Sequence, residues 1–525
     1  MTMKLTRRSV LRWGLSLSAA AVARRAPAAT GPSAAVAAAP IAIPFDMPGF
    51  KEPTFPDRTF AVTDFGARPG GTAMNTRAIA EAIAACARAG GGRVLVPAGV
   101  WRTGPIHLKS NVDLHVAEGA ELRFSDRFDD YLPVVYMQRG GVRCYNYSPL
   151  IYARRCTNVA VTGAGTLNGQ GQAWWPWKNR QPGMERLFAM GARQIPVEQR
   201  VFGTEADGVR PCFIQPIDCA NVLLEDFTLI NGPSWNIHPV TCENVTVRRV
   251  RVTTMGPNND GIDPDSCRNV IVEDCFLDTG DDCICLKAGR NEDGWAVGKP
   301  CENVVVRRCR TRRGHGGIVF GSEMSAGIRN VLVHDCRFEG TQRGIRIKSL
   351  PGRGGAIENL WFRNLVMDGV GAAIHLTLRY ARTPNDADAM PVFRNVHVRD
   401  LACTNARVAV EMLGLPGGDY IDNVTLDDVA IASVAGLQAE HVRRLRLTRV
   451  DLSPSKSPVM RLRDCRDVAI EQSKCPEGAD VFLQVDGAAS ENIRLDEVDL
   501  SKAARGVVAG SDVPAGAVVT APSRL

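Results

Sequence analysis

Acidic side chains are concentrated between residues 258 and 287. This segment reads NNDGIDPDSCRNVIVEDCFLDTGDDCICLK and holds eight carboxylates and four cysteines. Carboxylates this close repel one another unless water solvates them, cations pair with them, or a site holds them for chemistry. Asp281 and Asp282 are adjacent, and Asp260 precedes this pair by about one repeat of the pattern described below. These three are the candidate catalytic carboxylates.

Three downstream side chains could work with these carboxylates. His315 stands in GHGG, and Arg346 and Lys348 stand in RGIRIKS. In the hydrolysis of a glycoside, one carboxylic acid protonates the leaving oxygen and a carboxylate activates water. Close like charges raise the proton affinity of one carboxyl group and so keep an acid available. A guanidinium and an ammonium group can hold an anionic sugar, so the set predicts hydrolysis of an acidic glycoside.

A short repeat indicates the elements that must bring these side chains together. Each copy reads Asn, apolar, any residue, apolar, and most neighbouring copies are 21 to 36 residues apart. This alternation indicates a strand, and a unit with one short strand buries its apolar side only when copies stack. The twelve copies, two of them degenerate, begin at residues 158, 221, 244, 269, 303, 330, 359, 395, 423, 444, 467 and 492. The repeat predicts an all-β, right-handed parallel β-helix (a solenoid). A leucine-rich repeat is the rival, but no helical period lies between the strands.

The ends of the solenoid carry their own signals. NTRAIAEAIAACARAGGG, from Asn75, has apolar residues at helical spacing and predicts an amphipathic N-terminal capping helix. A tryptophan-rich insertion at about 170–210 interrupts the repeat, either as an aromatic wall of the groove or as loop packing. We expect an N-terminal extension over 29–58, a single catalytic β-helix over 59–510 and a C-terminal tail over 511–525.

Residues 1–28 resemble an export signal. They contain the twin arginine Arg7 and Arg8, a modest apolar run, and APA before Ala29. The apolar run is too short for a stable membrane anchor, and a disordered basic tail is the alternative. We expect export by the twin-arginine route to the periplasm or the medium. Without this segment the formal charge of +7 falls to +1, which gives no support for a nucleic-acid partner.

The sixteen cysteines fit the repeat better than a disulfide or zinc framework. Cys275, Cys309 and Cys336 each stand six residues after a pattern Asn, where other copies have Leu, Val or Phe. A cysteine that alternates with these residues acts as a small buried hydrophobe. Disulfides within the stacked set are the alternative in an exported chain. We expect no metal and no cofactor.

Four motifs, taken in order, are similar to those of the polygalacturonases, glycoside hydrolase family 28. They are NND at 258, GDD at 280, GHG at 314 and RIK at 346, within a resemblance that runs from about residue 60 to about residue 430. The resemblance implies a right-handed parallel β-helix and hydrolysis of α-1,4-galacturonosyl linkages with inversion. The expected substrate is galacturonan, as polymer or oligosaccharide. One departure is Asn259, where the family usually has Thr.

The resemblance also implies roles for individual residues. Asp281 resembles the general acid of the family, and Asp260 and Asp282 resemble the pair that activates water. His315 would support the protonation of the acid. Stacked coils place carboxylates about 5 Å apart, a separation that the general rule assigns to retaining enzymes. The family implies inversion, which we adopt because a water molecule can sit beside a stacked pair.

Four further residues are the expected sugar contacts. Arg346 and Lys348 would bind the galacturonate carboxylate, and Tyr380, in LTLRYARTP, resembles a sugar-contacting tyrosine of the family. His238 lies one repeat before Asp260, where it either lines the groove or packs beneath it.

Other functions remain open at this point. A calcium-dependent pectate lyase could use the acid cluster as a metal site, and a hydrolase of rhamnogalacturonan or xylogalacturonan could share the fold. A carbohydrate-binding or tailspike-like β-helix without catalysis belongs to a third class. The pattern leaves endo or exo action undecided, although an insertion that closes the groove would favour removal of terminal sugars. We expect a monomer.

Overall fold

Parallel strands repeat in register along most of the chain. The computed structural model describes residues 41–380 and 389–520. The expected export signal and residues 521–525 lie outside the described residues. From Ile43 onward the described chain forms one unit built from three stacks of parallel strands, which confirms the predicted parallel β-helix.

The first stack contains the strands of the Asn repeat and the strands that pair with them in the first and last coils. Its members are Thr59–Ala61, Gly92–Val96, Val112–Val116, Thr157–Thr162, Ala220–Glu225, Glu243–Arg248, Arg268–Glu273, Cys301–Arg307, Ile328–Glu339, Ala356–Asp368, Val392–Leu413, Ile421–Glu440, Val442–Pro454, Arg466–Glu471, Glu491–Asp496 and Val518–Thr520. The longer members bend and continue into the neighbouring stacks, so a single strand forms two sides of a coil.

The second stack follows the first in each coil. Its separate members are Gly99–Thr103, Ala120–Phe124, Thr166–Asn168, Thr228–Ile230, Arg251–Thr254, Phe276–Thr279 and Arg310–Thr311. The third stack completes the coil, with the members Ile106–His107, Ile151–Arg154, Ile214–Ile217, Ile284–Leu286, Ile318–Phe320, Arg343–Lys348, Ala372–Thr377, Met460–Arg463, Ala479–Asp486 and Ala503–Ala509. Isolated bridges through Ile237 and Ile262 join Ile214 to Ile284 in this stack.

Segments outside the coils form a covering layer and a cap. A small sheet contains Val135–Arg139, Val142–Asn146 and Val201–Phe202. The helices are α1 (Thr76–Arg88), α2 (Pro182–Ala192) and α3 (Asn291–Val297), and the short 3-10 segments are Val62–Phe65, Phe128–Tyr131, Gly171–Ala173, Trp175–Asn179, Val197–Gln199, Glu205–Asp207 and Leu500–Lys502. Helix α1 buries one apolar face against the first coil, as predicted. None of the helices in the described ranges has the length and apolar character needed to cross a bilayer.

The repeated Asn has a conformational reason. All twelve pattern residues have φ between 50° and 57°, the left-handed region in which Asn is favoured among non-glycine residues. From Asn158 to Asn423, each Asn side chain donates to the Asn of the preceding coil at 2.8–3.3 Å. The ladder begins at Asn111, a copy that the sequence pattern missed, and it is interrupted at Arg444.

Stacked apolar side chains fill the interior. The third stack places isoleucines directly above one another: Ile214, Ile237, Ile262, Ile284, Ile318, Ile345 and Ile374, all buried. All sixteen cysteines are free, and all but Cys156 are buried. The cysteines therefore act as small core side chains, as predicted.

Two terminal segments differ from the predicted boundaries. The expected extension over 29–58 is not a free linker in its described part, because Asn269 donates to the Pro48 carbonyl at 2.9 Å and Arg248 pairs with Glu52 at 3.1 Å. The expected tail also contains structure, since Val518–Thr520 pairs with the preceding coil. Both segments bond to groups that the coil surface offers, which a composition-based boundary does not detect.

Candidate active site

The candidate residues converge where the third stack begins. Asp260 and Asp282 each stand two residues before an isoleucine of the ladder, and the bridge between Ile262 and Ile284 sets their register. Asp260 is therefore level with Asp282, the second member of the adjacent pair, and not with Asp281. The reason is a coil of 22 residues between the two bridged positions.

Asp281 forms a pair with His315. His315 Nδ1 lies 2.9 Å from Asp281 Oδ1, and the His315 amide donates to the Asp281 carbonyl at 3.0 Å. Asn258 donates to the other carboxylate oxygen of Asp281 at 3.3 Å. Burial alone would raise the pKa of Asp281, but the His315 hydrogen bond and the nearby cations lower it to about 2. The same hydrogen bond raises the pKa of His315, which favours the imidazole as the holder of the shared proton.

Asp282 is held by two cations from a later coil. Lys348 Nζ donates to Asp282 Oδ2 at 2.6 Å, and Arg346 Nη1 lies 3.3 Å from Oδ1. Burial would lower the pKa of Lys348, but the Asp282 carboxylate reverses that effect and raises it. Arg346 and Lys348 thus belong to the cluster, as predicted, although their observed partner is a catalytic carboxylate. Their contact with a sugar stays a prediction.

Asp260 is the most enclosed of the three carboxylates. Only 3% of it is exposed, and its nearest cation is Lys287, 3.6 Å from Oδ2. Burial, followed by the negative charge of Asp281, raises the pKa of Asp260 to about 8. Asp260 and Asp281 therefore have opposite shifts within one site, which is the arrangement that separates an acid from a base.

Sequence reasoning missed a buried polar layer beside Asp260. Lys287 Nζ lies 3.6 Å from each of Asp260, Asp263 and Glu323. Asp263 is fully buried, and neither of its oxygens has a hydrogen-bond partner among the described residues. Burial raises the pKa of Asp263. No local pattern in the sequence signals the layer that covers Asp263.

The predictions that Tyr380 and His238 contact the sugar have different outcomes. Tyr380 is 42% exposed, and its ring centroid lies 4.9 Å from Lys348 Nζ and 5.6 Å from Arg346 Cζ. It therefore borders the cluster, where contact with a sugar stays a prediction. His238 has no exposed surface and lies 2.7 Å from Gln215 Nε2. Its prediction as a groove residue is wrong, because the hairpin that carries Gln138 covers this part of the coil.

Within residues 41–380 and 389–520, two groups of donor atoms are close enough to hold a cation. One comprises Asp281, Asp282 and His315, and the other comprises Asp260, Asp263 and Cys285, each within 4.8 Å. In the second group the Lys287 ammonium lies 3.2 Å from the Cys285 sulfur and 3.6 Å from each carboxylate. An ammonium there provides the positive charge that a metal would bring, so the residues do not favour the calcium site of the lyase alternative.

Comparisons with known proteins agree with this geometry. A family model for "Glycosyl hydrolases family 28" matches residues 202–449. A "Probable polygalacturonase" from Vitis vinifera is 32% identical over 385 residues, which cover 70% of this chain and 74% of that protein. An "Exo-poly-alpha-D-galacturonosidase" from Dickeya chrysanthemi is 28% identical over 436 residues, covering 74% of this chain and 71% of that protein.

A solved structure extends the likeness to the fold. The crystal structure of a hyperthermoactive exopolygalacturonase from Thermotoga maritima superposes with a TM-score of 0.72 at 38% identity, covering 77% of this chain and 94% of that chain. With identity at this level over most of both chains, the protein belongs to glycosyl hydrolases family 28 and is a glycoside hydrolase.

Proposed function

We propose that this protein hydrolyses α-1,4-galacturonosyl linkages in polygalacturonate or its oligosaccharides. The observation that carries the proposal is the convergence of Asp260, Asp281 and Asp282 with cations from a later coil. A water molecule attacks the anomeric carbon, one carboxylate takes a proton from that water, and a carboxylic acid gives a proton to the leaving oxygen. The nearby guanidinium and ammonium groups suit a uronate more than a neutral sugar.

The pKa shifts of the site residues suggest how the general acid works. The lowered pKa of Asp281 and the raised pKa of His315 favour an ionised carboxylate, with the proton of their hydrogen bond on the imidazole. We infer that this proton moves to Asp281 as the leaving oxygen acquires negative charge, so that the pair acts as one general acid. Asp282 and Asp260 then face the attacking water. The raised pKa of Asp260 favours a second assignment, with Asp260 as the acid.

We further propose exo action, with release of terminal sugars. The insertion at about 170–210 reaches the coils next to the carboxylates, where Trp175 Nε1 donates to the Gly232 carbonyl at 2.9 Å and Arg210 Nη2 donates to Asn258 at 2.7 Å. A segment at this place would close one end of the groove. The names of the relatives from Dickeya chrysanthemi and Thermotoga maritima, which describe exo-acting enzymes, support the same mode.

The expected setting follows from the substrate. Pectin is an extracellular polymer of the plant cell wall, so a secreted or periplasmic, monomeric enzyme without a membrane anchor fits this role. Transport of a reporter fused to residues 1–28, with and without the Arg7→Lys and Arg8→Lys changes, tests the export route. Cytoplasmic retention of the unchanged fusion would contradict it.

Product analysis tests the proposed function directly. The protein is incubated with polygalacturonate and with trigalacturonate, with and without a chelator, and the products are followed by chromatography and proton NMR. We expect saturated galacturonate released from chain ends, first as the β-anomer, at a rate that the chelator leaves unchanged. Unsaturated products that need calcium would identify a lyase instead. First products with the α-anomer would contradict inversion, and mixed internal fragments would contradict exo action.

A further inference from the structure

A buried arginine near the site has no partner of opposite charge. Arg139 is only 5% exposed, and its Nε and Nη1 atoms have no hydrogen-bond partner among the residues that the structure describes. Within the described ranges no carboxylate lies within the 4 Å ion-pair distance of its guanidinium. Its contact is the Trp235 ring, whose centroid lies 4.8 Å from Cζ. An enclosed cation without an anion is costly, so this position indicates an anionic ligand.

Two further cations stand around Arg139. Arg210 is 1% exposed, and its guanidinium donates only to neutral groups: the Pro257 carbonyl at 2.7 Å, the Pro233 carbonyl at 3.2 Å and the Asn258 side chain at 2.7 Å. Burial and the charge of Arg139 lower the pKa of Arg210 to about 9.

Lys178 completes the group from the tryptophan-rich insertion. It is exposed, and no ion pair holds it in the part of the chain that the structure describes. Burial of part of the side chain and the charges of Arg210 and Arg139 lower the pKa of Lys178. Charges of one sign that line a site raise the local concentration of an anion from solution.

The position of these cations relative to the carboxylates is defined by two short links. Arg210 binds Asn258, and Asn258 binds Asp281. On the other side, the Trp235 ring that contacts Arg139 also lies 4.2 Å from Lys287 Nζ, the cation nearest Asp260. The cations are therefore one residue away from the catalytic carboxylates.

The two cationic groups lie on opposite sides of the carboxylates along the β-helix axis. Arg210 contacts the carbonyls of residues 233 and 257, in coils that precede Asp282. Arg346 and Lys348 come from the strand Arg343–Lys348, two coils after Asp282 in the third stack. A chain lying along the axis would thus meet one cationic group on each side of the cleaved bond.

We propose that Arg139, Arg210 and Lys178 form a second carboxylate-binding subsite for a uronate on the side of the cleaved bond away from Arg346 and Lys348. The inference rests on the proposed hydrolysis of galacturonan. It adds a specific requirement: the enzyme recognises two free uronate carboxylates that flank the bond, and the insertion and hairpin outside the four motifs supply the second recognition site.

The test compares charge recognition in matched variants. Lys178→Gln and Arg139→Gln remove one cation each, and Arg193→Gln is the control because Arg193 is an exposed cation of the same insertion. Each variant is assayed on trigalacturonate and on trimers methyl-esterified at either terminal unit. Lys178 is exposed, so its variant keeps the test informative if Arg139→Gln fails to fold.

We expect KM for trigalacturonate to rise about tenfold in both variants with little change in kcat, which corresponds to about 1.4 kcal/mol of binding free energy. The wild type should discriminate against one of the two esterified trimers, and the variants should lose that discrimination. The control should match the wild type. Unchanged KM and retained ester discrimination in Lys178→Gln would overturn the subsite, even where the wild type hydrolyses the trimer. Lack of hydrolysis by the wild type would instead overturn the proposed function.

Discussion

The coils that carry the candidate site and the coils from residue 421 onward share an interior but differ on their outer face. The third-stack column next to the isoleucine ladder passes through Asp263 and Cys285 and, further along the same register, through Gln438 and Arg461. The first two are fully buried, whereas Gln438 and Arg461 face solvent. One scaffold position therefore lies in a covered site or on an open surface, depending on what is added outside the coil.

Charge balance differs in the same way. Exposed arginines pair with acids of the preceding coil in both regions, as in Arg449 with Asp428 at 2.6 Å and Arg308 with Asp274 at 2.8 Å. Only on the covered third-stack side of the catalytic coils, among the described residues, does one ammonium, that of Lys287, stand 3.6 Å from each of three carboxylates. Exposed pairs contribute little to stability, whereas buried carboxylates that share one cation acquire shifted proton affinities. The fold of the coil is the same in both regions. The segments that cover the catalytic coils bury their carboxylates, and this burial gives the carboxylates the shifted proton affinities that catalysis needs.

The largest effect that distinguishes the two regions is expected at Asp281. We predict that Asp281→Asn lowers kcat on polygalacturonate by about 10³-fold, because the amide cannot deliver a proton. Affinity for trigalacturonate, measured by calorimetry, should stay within about threefold. Asp428→Asn, an acid of a later coil, is the matched control and should keep full activity.

Galacturonosyl fluoride separates the two assignments of the acid, because fluoride leaves without protonation. A true acid variant should recover most of its rate on the fluoride. Recovery in Asp260→Asn but not in Asp281→Asn would reverse the proposed roles.

The next effect is expected at Arg346. Arg346→Ala should lower kcat/KM for oligogalacturonides by about 10- to 100-fold, since charged hydrogen bonds of about 1.5–3 kcal/mol are lost. The change should fall mainly on KM. Arg461→Ala, in the same column but on an exposed coil, should leave both constants unchanged. An unchanged KM in Arg346→Ala would show that Arg346 serves only to hold Asp282.

The fold was accessible from sequence because its signals are local and repeated. Alternating apolar residues and the recurring Asn both lie within a few residues of each other, and each copy supports the same interpretation. The sequence shows that Asn recurs but not why it recurs, because the left-handed backbone angle φ at these positions is not visible in a sequence. The contacts of Glu52 and Val518 with the coils could not be predicted from sequence, because they are long-range and leave no local pattern near residues 58 and 510.

The site was accessible only in part. The four motifs identified residues that face the groove, and the structure does bring Asp260, Asp281, Asp282 and His315 together with the two cations. The residues that sequence reasoning missed or misplaced, including Lys287, Asp263 and His238, lie under segments inserted far away in the chain. Their burial depends on the insertion and on the hairpin formed by Val135–Arg139 and Val142–Asn146. Neither segment belongs to the repeat, so the repeat does not predict its contacts with the motifs.

The Asn ladder gives a smaller effect that should differ between the two regions. Asn303→Ala should lower the free energy of unfolding by about 2–3 kcal/mol, because alanine is strained at φ 57° and two ladder hydrogen bonds of 3.2 and 3.1 Å are lost. Asn303→Gly keeps the backbone relaxed and should lose about half as much. At Arg444, where the ladder is already interrupted, replacement by Ala should cost less than at Asn303. Equal losses at both positions, measured by urea unfolding, would show that the ladder bonds contribute nothing.

The smallest effect is a gain in stability at the site itself. The pKa of Asp260 in the folded protein, about 8, lies above the ordinary value of 3.8 expected in the unfolded chain. Between these pH values the folded state holds a proton that the unfolded state has released, so the wild type loses stability as pH rises from about 4 to about 8.

Asp260→Asn removes this titration, and the variant should become more stable than the wild type by at least about 1 kcal/mol at pH 8 while losing activity. The difference in unfolding free energy should shrink towards pH 4, where Asp260 is protonated in both states. Asp428→Asn, on an open coil, should show no such pH-dependent gain, and a gain of Asp260→Asn that is equal at both pH values would show that Asp260 is not held protonated by burial.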